Sequence, residues 1–86
     1  MINMFYVYVL KCRDGSFYTG YTNDLEKRVT RRNDGNAAKY TRARRPVMLA
    51  TKWQFPTQRE AMQAEAKFKT LSRKEKIKRI QENNNL

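Results

Sequence analysis

Apolar and polar positions along this chain change period several times, and each change marks an element. Residues 4–10 are dense in Phe, Tyr, Val and Leu, and Lys11 closes the run, the pattern of a strand buried on both faces. Residues 17–22 read as a second strand, with Arg13-Asp14-Gly15 between the two as a turn signal. A two-residue Asp-Gly turn pairs residues of opposite parity and puts Tyr8 and Tyr18 on opposite faces. A three-residue loop with Gly15 in the left-handed conformation instead pairs Cys12 with Ser16, Leu10 with Tyr18 and Tyr8 with Gly20. Both tyrosines then share a face. The second register is the one expected, because a shared site requires matching parity.

Helix starts are legible. Asn23-x-x-Glu26, Thr57-x-x-Glu60 and Ser72-x-x-Glu75 each place a capping oxygen three residues before a glutamate, the spacing of a capping box. The first helix, residues 24–33, carries Leu25 and Val29 inward and stops near Gly35. Pro46 and Pro56 bracket a third strand, residues 47–55, since proline is tolerated at strand ends but not within a ladder. The second helix, residues 58–71, buries Ala61, Ala64, Phe68 and Leu71 at helical spacing. A third, short helix over residues 73–81 packs Ile77 and Ile80, and Trp53 belongs to the packing of the third strand. The expected fold is therefore α+β: a three-stranded, mostly antiparallel sheet flanked by three helices. Residues 1–82 form a single domain, and 83–86 are expected to be a disordered tail.

Composition narrows the function. At 86 residues the chain is near the size at which one core is just sufficient. The longest apolar run falls far short of the roughly 20 residues a membrane-spanning helix needs, and no secretory signal pattern opens the chain. Cys12 is the only cysteine, which excludes an internal disulfide and suits a cytoplasmic setting. Nineteen Lys and Arg against eight Asp and Glu give a net charge of +11. The excess is clustered in residues 27–45 and 67–79, each stretch holding a single acid, Asp34 or Glu75. Such clusters are the footprint of a polyanion binder, nucleic acid first. A membrane-surface role lacks the exposed apolar helix face it needs.

The chain has no histidine, so any hydrolytic chemistry falls to other side chains. On the second helix Ala61, Glu65 and Lys69 follow one another at i+4 spacing, and Glu65 lies about 40° from Ala61, on the margin of the buried stripe. Glu65 is thus either a surface partner of Lys69 or a partly desolvated carboxylate with a function.

The triplets Tyr6-Val7-Tyr8 and Tyr18-Thr19-Gly20, followed by Arg28 and by Glu65, resemble the signature of the GIY-YIG nuclease family. The resemblance continues through Lys39-Tyr40-Thr41 and Arg44-Arg45-Pro46 to Ala61-x-x-x-Glu65-x-x-x-Lys69, and is closest to the small stand-alone members. It implies a metal-dependent endonuclease-like domain that hydrolyses phosphodiester bonds in DNA, with structured or damaged DNA as a natural target. Its alternative is a non-catalytic module that holds DNA or RNA on the same fold. The resemblance implies that Glu65 holds one Mg²⁺ or Mn²⁺ ion, that Tyr8 is general base toward the attacking water, and that Tyr18 orients Tyr8 or the water by hydrogen bonding. It implies too that Arg28 grips the scissile phosphate and that Gly20 leaves room at the site. Arg32, Lys39, Tyr40, Arg42, Arg44, Arg45 and Lys69 are expected to contact nucleic acid in a monomer. Two positions depart from the pattern. Tyr6 stands where the family's first triplet has glycine. Arg32 stands where many members carry a histidine, and arginine stays protonated in proteins, so it supplies a phosphate contact rather than a base.

Overall fold

The middle strand of the sheet is β1, Phe5–Cys12, and its central residues Val7, Tyr8, Val9 and Leu10 are buried on both faces. The computed structural model describes residues 4–33 and 43–85. Beside β1 run β2, Phe17–Thr22, and β3, Val47–Phe55, both antiparallel to it, in the order β2-β1-β3. The helices are α1, Leu25–Asn33, α2, Gln58–Lys69, and α3, Arg73–Asn84. No described helix is long and apolar enough to cross a membrane.

The hairpin takes the three-residue register. The Cys12 amide donates to the Ser16 carbonyl at 2.8 Å, the Gly15 amide donates to the Cys12 carbonyl at 2.9 Å, and Gly15 has φ +86°. A left-handed residue in that loop favours glycine, which has no Cβ to clash with its own carbonyl. Tyr8 consequently pairs with Gly20, and Leu10 with Tyr18.

Parity divides the core in two. Tyr8, Leu10 and Cys12 face α1, where Leu25 and Val29 pack against them together with Val47 and Tyr18. Val9 faces the other way, toward Phe68 of α2 and Ile80 of α3, with Phe17, Ala50, Trp53 and Leu71 around them. A bulge lets β3 serve both sides. Val9 pairs with Thr51 but Leu10 pairs with Leu49, so Ala50 is the extra residue. Trp53 therefore reaches the α2/α3 core while Val47, of the same parity, reaches the α1 core, as a one-residue insertion requires.

Three boundaries differ from the sequence expectation. Asp24 rather than Asn23 caps α1, with the Lys27 amide donating to Asp24 Oδ1 at 3.1 Å. Helix α2 ends at Lys69, two residues before Leu71, and Thr70 caps it. The largest difference is at the far end, where α3 continues to Asn84 instead of fraying after residue 81. Asn83 Nδ2 donates to Thr51 Oγ1 at 2.6 Å and to the Lys52 carbonyl at 2.8 Å; Asn84 Nδ2 donates to the Ala50 carbonyl at 2.8 Å. The Ala50 and Lys52 carbonyls belong to an edge strand, and side-chain amides satisfy them. A disordered tail from residue 83 is thus not what the described residues show.

Asn33 does the same at the other end of β3. Its Oδ1 accepts from the Val47 amide at 2.7 Å and its Nδ2 donates to the Val47 carbonyl at 3.0 Å, so one side chain imitates a strand neighbour. Val47 is only 3% exposed. Asn33→Ala is expected to cost about 1–3 kcal/mol in urea denaturation, because it leaves a buried amide unsatisfied. A loss within experimental error would mean that water replaces the asparagine there.

Candidate active site

Tyr8 is the largest fully buried side chain, at 0% exposed, and its hydroxyl has no hydrogen-bond partner among the described residues. Register puts its ring over Gly20, whose missing side chain makes the space it occupies: a Cβ at Gly20 would lie 2.7 Å from Tyr8 Cζ. Buried polar groups are almost always satisfied, since each orphan costs about 1–3 kcal/mol. A buried phenol pinned against a glycine, with no partner among the described residues, makes Tyr8 the candidate centre of the site.

Tyr18 lies on the same face, two pairs along the hairpin. Arg32 reaches it from the last turn of α1: Nη2 donates to Tyr18 Oη at 3.2 Å, and Cζ stands 5.1 Å from the ring centroid. Arg32 Nε is a second buried polar atom without a partner among the described residues. The structure therefore joins Arg32 to the second phenol. Arg28 is half-buried one helical turn earlier, lining a cleft with Thr22, Asn23, Lys27 and Arg31. Residues four apart on a helix share a face, so Arg28 and Arg32 line one side of α1.

Glu65 is placed differently. It sits on α2, which packs against the sheet face opposite Tyr8 and Tyr18. Its carboxylate meets Lys69 Nζ at 2.7 Å, with the Glu65 side chain 16% exposed and that of Lys69 52% exposed. Gln58, two turns before it, donates to Tyr21 Oη on β2 at 3.4 Å. Seven residues bring a helix back to within about 20° of the same direction, so Glu65 also lies on the β2 flank of α2. Since β2 is an edge strand, a ligand touching both Glu65 and the phenols has to pass around that free edge.

The donor set decides which ion suits it. Among the described residues no three Asp, Glu, His or Cys side chains gather. One partly buried carboxylate is a hard oxygen donor, which suits an ion of the Mg²⁺ type. Such ions take one or two carboxylates and leave the remaining positions to water and substrate phosphate.

The remaining expected contacts are dispersed. Arg44 Nε donates to Asp14 Oδ2 at 3.0 Å, tying the segment before β3 to the hairpin loop. The Ser16 hydroxyl and amide, with Arg44 beyond them, hold the Asp14 carboxyl below its ordinary value. Arg45 lines a cleft with Arg13, Asn33 and Pro46. Lys39, Tyr40 and Arg42 lie outside the described residues. Sequence reasoning missed Lys52, which pairs with Tyr8 across the ladder and sets its Nζ 5.7 Å from the Tyr6 ring centroid. Parity along β3 was the available signal, but it fails once a bulge intervenes. Arg73 was also missed: it donates to the Gly15 carbonyl at 3.0 Å and covers the Phe17 ring at 5.0 Å, locking α3 to the hairpin.

Comparison with known proteins shows the family and the fold. The family described as the GIY-YIG catalytic domain matches residues 4–79. The chain is 61% identical over 80 residues to a UPF0213 protein of Bacillus licheniformis, covering 93% of this chain and 82% of that protein. It is 57% identical over 83 residues to the UPF0213 protein YazA of Bacillus subtilis, covering 96% and 84%. Two solution NMR structures are similar. A protein of E. faecalis superposes with a TM-score of 0.68 at 47% identity, covering 100% of this chain and 94% of that one. The UPF0213 protein BH0048 of Bacillus halodurans superposes with a TM-score of 0.60 at 46% identity, covering 91% and 83%. With its hairpin tyrosines, its α1 arginines and this match over most of its length, the chain belongs to the GIY-YIG family and, within it, to the small UPF0213 proteins.

Proposed function

We propose that this protein is a metal-dependent endonuclease acting on DNA, with its chemistry centred on the tyrosine face of the hairpin. The observation that carries the reading is the Tyr8 hydroxyl, without a partner among the described residues and held against Gly20 on the face that Tyr18 and Arg32 share. Arg28 and Arg32 present guanidinium groups, the geometry that takes two phosphate oxygens at once. Tyr18 Oη, already accepting from Arg32, is fixed in orientation and can align the attacking water. Tyr8 would take the proton of that water, a role worth about 10²–10⁴-fold in rate for a positioned general base. Glu65 would hold the divalent ion at the β2 edge, and for a link bent around that edge the ion would supply stabilisation of charge on the leaving oxygen. Lys69, paired with Glu65 at 2.7 Å and half exposed, would be free to meet a phosphate if the carboxylate took an ion instead.

A second reading has its own observations. Tyr8 is wholly buried and Glu65 already has a cationic partner, so the same surface suits a module that holds nucleic acid without cutting it. The test is an incubation of supercoiled, single-stranded and branched DNA with Mg²⁺ or with chelator, using the natural chain and Tyr8→Phe. The expected result is nicking in Mg²⁺ alone, reduced about 10²-fold or more in Tyr8→Phe. Salt-sensitive binding with no product under any divalent ion selects the binding module.

A further inference from the structure

The sheet face opposite the tyrosines carries a second concavity that the proposed chemistry does not use. A cavity of about 130 Å³ opens between β3, α2 and α3; Trp53, Phe55, Ala64 and Phe68 line it, and Lys67 and Arg79 stand at its rim. Trp53 and Phe68 meet at 5.5 Å with planes tilted by 52°, so neither ring stacks on the other. Lys67 and Arg79 are exposed and have no acidic partner among the described residues.

Two unpaired cations above an aromatic floor repel each other, and an anion between them relieves that repulsion. An apolar side chain uses the floor and leaves the cations without a counter-charge. A nucleotide uses both, because a base offers a π-face to an aromatic side chain while its phosphates reach the rim. The size agrees, since the space is well below the ~300 Å³ at which pockets for drug-sized molecules begin. We infer that this groove takes one unpaired nucleobase of a single-stranded segment on Trp53, with the flanking phosphates on Lys67 and Arg79.

This rests on the reading that the chain binds nucleic acid, and adds a substrate class to it. Residues 64 and 67 lie on one flank of α2 and Glu65 on the other, by the helical period. The strand in the groove is therefore distinct from the link presented to the tyrosine face. The substrate class that uses both is a duplex with an unpaired segment beside it.

Trp53 is the sole tryptophan, so its fluorescence reads this groove directly. The full chain is titrated with oligo(dT) and with a blunt duplex of equal length, while anisotropy of labelled copies of each reports binding independently. The expected result is a fluorescence change with oligo(dT) and none with the duplex, although both bind. Lys67→Ala/Arg79→Ala is expected to lose about tenfold in oligo(dT) affinity and to lower the log–log salt slope by about 1.4, with a smaller loss on duplex. Both side chains are exposed, and an unchanged melting temperature verifies that the variant folds. Equal fluorescence responses to the two DNAs, or equal losses on both in the double variant, overturn the groove assignment and leave the nucleic-acid reading standing. Absence of any anisotropy change at low salt overturns both. A tryptophan signal that follows protein concentration alone assigns the groove to a second copy of the chain and overturns the proposal.

Discussion

Glu65→Gln is expected to lower metal-dependent nicking by about 10²-fold or more while leaving DNA affinity in chelator unchanged or tighter. The size follows from the several kcal/mol of transition-state charge stabilisation that a metal ion provides, at about 1.4 kcal/mol for each factor of ten. The sign on binding follows from charge: a carboxylate among cations repels phosphate unless an ion intervenes, and glutamine removes that repulsion. Stability barely enters. The pair with Lys69 at i+4 contributes only about 0.3–0.5 kcal/mol, because half of the Lys69 side chain is in water. Lys69→Ala separates the two roles of this pair. It leaves the carboxylate free for the ion, so nicking persists, and it removes one phosphate contact, so affinity falls with a shallower salt dependence. Initial rates of supercoiled-to-nicked conversion, with anisotropy in chelator, measure both variants. Full nicking by Glu65→Gln would remove this residue from the chemistry and, with it, the reason to place the reaction at the β2 edge.

That placement also shows where sequence reasoning reaches its limit. Parity and turn chemistry are local, so the hairpin register, the shared face of Tyr8 and Tyr18 and the contact of Tyr8 with Gly20 follow from residues 8–20 alone. Helix periodicity is local too, and it places Leu25, Val29, Ala61 and Phe68 correctly in the core. What periodicity does not contain is which face of the sheet each helix covers. The arrangement of α1 on the tyrosine side and α2 on the other depends on the connection through β3, whose bulge at Ala50 exchanges the sides midway. The convergence of Glu65 with the phenols is thus a question about one sheet edge rather than one pocket. Amide side chains were equally opaque. Asn33, Asn83 and Asn84 look like loop or tail residues in the sequence, yet they close both ends of an edge strand. A polar side chain that satisfies backbone leaves no repeat to read.

Gly20→Ala is expected to destabilise the fold by about 1–3 kcal/mol and to remove activity beyond that loss, although one methyl group is all it adds. Gly20 is not at a positive φ, so backbone strain is not the cause. On entropy alone alanine would stabilise by about 0.4–1 kcal/mol, through a less flexible unfolded chain. Packing opposes this and wins. The new Cβ would lie 2.7 Å from Tyr8 Cζ and 3.2 Å from Cε1, and it would press still harder on the hydroxyl. These atoms belong to a rigid ring at 0% exposure, packed with Leu10, Cys12 and Val47, so it cannot swing aside as a lysine tip can. Displacing the ring shifts the hydroxyl from its position on the face that Tyr18 and Arg32 share, which is why activity is expected to fall with stability. Urea denaturation of Gly20→Ala, Tyr8→Leu and the double variant isolates the contact, since a cycle reports the pairwise part alone. With the ring gone, the alanine has nothing to meet, and Gly20→Ala in the Tyr8→Leu background is expected to be neutral or stabilising. An equal cost in both backgrounds would show that the glycine is required by something other than the phenol above it.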